Sequence, residues 1–155
     1  KIDYYEYIRS GKCIACGDMT VDYAVIEDFV FGIEEKFNCT VLAIGYDRYN
    51  ALSSAQKWDE KYTTVQVRQH SDTLHPATKL LYEMIMNGKF FFEKNKLYEI
   101  NFQNARCTYD TNLNRYVNKK RSTGKVDMVF GTLNAMFLLI QDVILDNGDW
   151  GAQVL

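Results

Sequence analysis

Thr40-Val41-Leu42-Ala43-Ile44-Gly45-Tyr46-Asp47 is the stretch whose reading decides the fold. Its β-branched and aliphatic side chains favour extended backbone, and near-continuous apolar character predicts a strand over 40–46 covered on both faces of its sheet. Polarity returns at Asp47-Arg48-Tyr49-Asn50, which ends the strand. Upstream, Asp22 caps a helix predicted over 22–37. Ala24, Val25, Phe29, Val30 and Ile33 share its apolar face, Phe37 extends that face, and Asn38 breaks the pattern. Downstream, a helix over 50–60 with Ala51, Ala55 and Trp58 on one side leads to a second strand over 63–67. Helix–strand–helix–strand is an α/β arrangement.

The rest of the chain continues that alternation. Residues 3–9 read as a short helix and 12–16 as a short strand. His75-Pro76 predicts a helix with Pro at its first position, closed by Gly88, with Leu80, Leu81, Met84 and Ile85 buried. A strand at 90–92, a helix over 96–106, and a hairpin pairing 107–109 with 116–117 around Asp110–Asn114 follow. The last helix is predicted over 127–145, burying Val129, Phe130, Leu133, Met136, Phe137, Ile140, Val143 and Ile144, with a loose tail over 146–155.

A chain of 155 residues is expected to form one domain, here 1–155 with its core over 22–145. At 47% apolar and 25% charged residues it has an ordinary globular composition, and no apolar run is long enough to predict a membrane span. Lacking a signal segment and an initiator Met, it reads as part of a longer protein. The net charge of −2 argues against a broadly basic nucleic-acid coat. Positive charge nevertheless gathers at Arg115, Lys119, Lys120, Arg121 and Lys125, with no acid among them. Cys13-Ile14-Ala15-Cys16 has zinc or redox spacing, but no second close pair follows and His70 and His75 lie far off. Ordinary thiols in a reducing, intracellular setting are the better reading. No Gly-rich phosphate loop marks an ATPase, and neither histidine belongs to a nucleophilic triad motif.

Chemistry concentrates in two acids. In open α/β sheets, ligand sites lie beyond the carboxyl ends of strands, and Asp47 stands there. Asp127 opens the last helix, where acids also serve as caps and dipole partners. If the two converge, they offer hard oxygen ligands to a pair of Mg²⁺ or Mn²⁺ ions. One ion would deprotonate water and the other would stabilise the leaving oxygen of a phosphodiester. The expected metal ligands are Asp47 and Asp127, with Lys125 as a further catalytic residue drawing in the scissile phosphate or orienting hydroxide. Arg115, Lys119, Lys120 and Arg121 are expected to contact the DNA backbone without reading sequence. Two carboxylates seldom suffice. Asp3, Asp18 and Asp22 lack the context of a central buried strand, so a third acid is expected upstream of Lys1.

Gly45–Ala51, Val67–Gln69, Leu74–Lys79, Ile85–Lys89, Asn95, Asn101–Asn104 and Lys119–Asp127, in this order and spacing, resemble the C-terminal nuclease domain of tailed-phage terminase large subunits. The resemblance spans nearly the whole chain. It implies an RNase H-like fold, a mixed central sheet flanked by helices, and an acidic cluster holding two divalent ions. By that likeness Asp47 follows the second strand of the site and Asp127 starts the final helix. The family's first catalytic aspartate comes from an earlier strand that this sequence does not contain. Lys89–Glu93 stands where the family often carries a His before the Asn. Gln69, Asn101 and Asn104 occupy recurrent family positions and are expected to hold backbone near the active face. The implied function is cleavage of concatemeric double-stranded DNA during genome packaging, in the cytoplasm of a bacterial host. Implied partners are an upstream ATPase domain, a portal protein and a small terminase subunit. A non-catalytic docking module of the same fold and a resolvase- or transposase-like nuclease are the alternatives.

Overall fold

A computed structural model describes residues 2–49 and 51–141. Near the N-terminus, Asp3 caps α1 (Tyr4–Arg9) and Asp22 caps α2 (Tyr23–Phe31), each accepting a backbone N–H two residues on. The single helix expected over 22–37 is instead two. Gly32, a weak helix former, separates α2 from α3 (Ile33–Phe37), which ends at Asn38 in the left-handed conformation. Phe37 is largely exposed rather than part of a buried face. Residues 12–16 form no strand, and beyond them the chain turns, the Asp22 N–H donating to the Cys16 carbonyl across Gly17 at positive φ.

The decisive strand is shorter than expected. β1 is Ile44–Tyr46, and after α4 (Leu52–Trp58) it pairs in parallel with β2 (Thr64–Gln66), with Ile44 opposite Thr64. Val41 begins the approach to β1 bound elsewhere, its N–H donating to the Glu34 carboxylate of α3 at 2.9 Å. Gly45 lets β1 lie against the last helix. A Cβ there would stand 3.1–3.3 Å from Val67, Leu138 and Asn134.

α5 runs Ser71–Met86, so Pro76 is its sixth residue rather than its first. Leu74 explains the earlier start: it is buried in line with Ala77 and Leu81, and helical backbone is what keeps those three on one face. The segment expected as a strand at 90–92 is irregular. Phe90 packs on the core while Phe91 is exposed, so no buried sheet face calls for extended pairing. α6 (Lys96–Asn104), capped by Asn95, leads to the expected hairpin of β3 (Cys107–Tyr109) and β4 (Arg115–Val117), with Cys107 opposite Val117. α7 starts at Asp127 as expected and runs to Ile140. The expected continuation fails at Gln141, which is extended, while residues 142–145 of that expected helix and the tail over 146–155 lie outside the described residues.

The architecture is therefore mixed α/β, but the described strands form two separate two-stranded sheets instead of one central sheet. The main core joins Leu74, Ala77 and Leu81 of α5, Val117 of β4, and Val126 with Val129, Phe130, Leu133 and Met136 of α7. A smaller cluster of Ala55, Trp58 and Tyr62 lies beneath β1 and α2. None of the helices in the described residues is long and apolar enough to cross a membrane.

Candidate metal and nucleic-acid site

A cleft of about 1030 Å³ opens between the two clusters. β1 delivers Asp47 to one wall, and α7 delivers Asp127 to the other. Lys119 and Lys120 line the same cleft, as do Gln69, Asn118 and Asn134. The two acids that lie eighty residues apart in the chain thus border one space. Arg115, Arg121 and Lys125 are not among its lining residues. Arg115 instead lays its guanidinium 4.7 Å from the Tyr82 ring centre.

The acids have different surroundings. Asp47 is half-buried, and its Oδ1 accepts a long backbone bond from the Tyr49 N–H at 3.4 Å. Asp127 pairs with Lys119, Nζ to Oδ1 at 2.5 Å. That hydrogen bond holds the Asp127 carboxyl below its ordinary range against the opposing effect of partial burial, with the charges of Lys119 and Lys125 adding to it. Lys119, expected as a backbone-phosphate contact, is therefore engaged with the acid.

The basic stretch is held by its own local bonds. Asn118 Oδ1 accepts the N–H groups of Lys120 and Arg121, which closes the turn beyond β4. His75 Nδ1 meets the Arg115 carbonyl at 2.9 Å, and Thr78 Oγ1 accepts the Val117 N–H, so α5 carries β4 and hence the lysines. Asn101 and Asn104 do hold backbone as expected: Asn101 Oδ1 accepts the Met128 N–H, and Asn104 Nδ2 donates to the Lys125 carbonyl. Gln69 Nε2 donates to the Val67 carbonyl and to Asn134 Oδ1, both at 3.1 Å. Sequence reasoning missed Asn134 and Asn118. Asn134 had a legible signal, an amide between Leu133 and Met136 on the apolar side of a helix, where a buried polar group needs a partner.

Asp47 and Asp127, two carboxylates lining one cleft, are hard oxygen donors of the kind that Mg²⁺ or Mn²⁺ takes. Such ions are commonly bound through one or two carboxylates, retained waters and substrate phosphate oxygens. Among the described residues no three His, Cys, Asp or Glu side chains gather at a metal site. The four cysteines, Cys13, Cys16, Cys39 and Cys107, are free thiols.

The family model described as the terminase large subunit, endonuclease domain, matches residues 1–142. The chain belongs to that family. No curated protein matches this terminase endonuclease-domain chain. Among solved structures it is similar to the large terminase of bacteriophage HK97, with a TM-score of 0.76 at 20% identity. The likeness covers 87% of the terminase-family chain and 28% of the HK97 protein, so it concerns a fold shared over part of that longer molecule.

Proposed function

We propose that this chain is the divalent-metal-dependent endonuclease domain of a phage terminase large subunit, cutting concatemeric double-stranded DNA as a genome is packaged. The observation that carries the reading is the shared cleft of Asp47 and Asp127, which Lys119 and Lys120 also line. In this reading Asp47 and Asp127 bind Mg²⁺ or Mn²⁺. The bound ions would activate water and stabilise the leaving oxygen. Lys119 and Lys120 draw the phosphate backbone toward the acids. Arg115 and Arg121 extend that contact outside the cleft, and Lys125 adds positive potential at Asp127.

A third carboxylate completes the metal site from outside the described residues. The β1–β2 pair is then part of an RNase H-like mixed sheet within a nuclease domain spanning 1–155. Working partners are an ATPase domain of the same polypeptide, the portal protein and the small terminase subunit, in the cytoplasm of the infected cell. Family membership favours packaging over a resolvase- or transposase-like role.

The test is plasmid cleavage with Mn²⁺ by the full gene product carrying Asp47→Asn or Asp127→Asn. Each substitution keeps the side chain's shape and removes its charge, and each is expected to abolish cutting. Undiminished cleavage by both variants rules out this site. An inactive wild type that binds DNA and the portal would favour the docking alternative.

A further inference from the structure

The loop that delivers Asp127 is gripped from outside by one amide. Asn104 ends α6, and its Nδ2 donates to the Lys125 carbonyl at 3.1 Å. Its own backbone carbonyl accepts the Thr123 N–H at 3.0 Å, so both ends of residues 123–125 are tied to a single residue. Gly124 lies between them, directly on the amide. A Cβ at Gly124 would fall 2.7 Å from Asn104 Nδ2 and 3.0 Å from its Cγ. The φ of Gly124 is not in the left-handed region, so glycine there supplies room for the amide and not a special backbone angle. One turn earlier on α6, buried Asn101 accepts the Met128 N–H, supplying from another helix the bond that Val126 at the N-cap position does not make. The residues between these two anchors include Lys125 and Asp127.

We propose that Asn104 is a positioning residue for the cleft. Its amide, seated against Gly124, sets the approach to α7 and thereby where the Asp127 carboxylate stands relative to Asp47. This rests on the reading of Asp127 as a metal ligand given above. Neither Asn104 nor Gly124 lines the cleft, so the effect passes through the backbone they fix.

The test is calorimetric titration of the full gene product with Mn²⁺ alone, on wild type, Asn104→Ala, Gly124→Ala, the double variant and Asp127→Asn, alongside urea unfolding of each. Removing a group that orients a metal ligand commonly weakens metal binding by about tenfold or more, and that is the loss expected for Asn104→Ala at 25 °C while the protein remains folded. Gly124→Ala is expected to weaken Mn²⁺ binding similarly. It should add little further loss once Asn104 is already alanine, because the methyl then enters vacated space. A purely structural role would lower the urea midpoint and leave Mn²⁺ affinity unchanged. Affinity within about twofold of wild type in Asn104→Ala, with binding lost in Asp127→Asn, overturns this inference and spares the metal site. Wild-type binding in Asp127→Asn, or none in wild type, overturns both. If Asn104→Ala does not fold, Gly124→Ala is judged by the same criteria.

Discussion

Asp47 and Asp127 border one cleft from walls of different make. The Asp127 wall rests on nine buried apolar side chains, eight from α5, β4 and α7 and the ninth Val126 just ahead of α7, among them Leu133 at 0% exposure. Beneath Asp47, among the described residues, the buried cluster is Ala55, Trp58 and Tyr62. There, polar contacts do more of the holding. Glu27 of α2, itself buried, accepts Ser54 Oγ–H at 2.7 Å and Lys57 Nζ–H at 2.6 Å from α4. Glu34 ties Val41 and Lys61 to α3. The contrast teaches that the two acids are placed by different forces. Close packing holds the helix that carries Asp127, while directional and pH-sensitive bonds hold the helices behind Asp47.

The largest expected effect tests the packed wall. Leu133→Ala removes a fully buried side chain and should cost about 2–5 kcal/mol, read from the shift in urea midpoint. Gly45→Ala strikes where the walls meet. Its methyl is crowded by Val67, Leu138 and Asn134, and overpacking of this kind costs about 1–3 kcal/mol. A neutral Gly45→Ala would mean that the strand and α7 separate easily.

Glu27→Gln probes the polar wall and should destabilise less than Leu133→Ala. Lys57 and Ser54 hold the Glu27 carboxyl below its ordinary range. Its folded pKa is thus depressed, so its contribution is fully present above the unfolded carboxylate value of about 4 and is lost as pH falls through the folded value. The stability gap between wild type and Glu27→Gln, followed by denaturation at stepped pH, should therefore close on acidification. A gap that is constant with pH, or one exceeding the Leu133→Ala loss, breaks the comparison.

The smallest effect is expected from Lys119→Ala. The Lys119–Asp127 pair is more than half exposed, so its loss should change stability by no more than about 1 kcal/mol. Carboxylate ¹³C titration should nonetheless show the Asp127 pKa rising toward its ordinary range, since the Lys119 hydrogen bond is the main cause of its depression.

Much of this was readable along the chain. The Asp22 cap and the Asp110–Asn114 turn each follow from a side chain bonding backbone within a few residues of itself, and the Asn38 stop follows from that residue's tolerance of the left-handed conformation. Misreadings arose where distant contacts outweighed local signals. Pro76 is a strong helix-start signal, yet burial of Leu74 against α7 draws in another turn ahead of it. The apolar runs at 12–16 and 90–92 suit strands by composition, but among the described residues they find no partner strand. For the site, both acids were legible as residue types at element ends. That Lys119 rather than Lys125 would bond Asp127 was not, because it depends on how the turn at Asn118 lies beside α7.

By itself the sequence determined where most of the helices lie, though not all their bounds, and the ordered motifs that mark the terminase endonuclease family. These are properties of neighbours in the chain, governed by backbone preference and side-chain periodicity. Only the tertiary structure decided that Asp47 and Asp127 border one cleft, that Gly45 and Gly124 are needed for room, and that an amide from α6 holds the turn before α7. Those facts arise from close approach between segments far apart in sequence, and excluded volume acts in space, where residue order carries no direct signal.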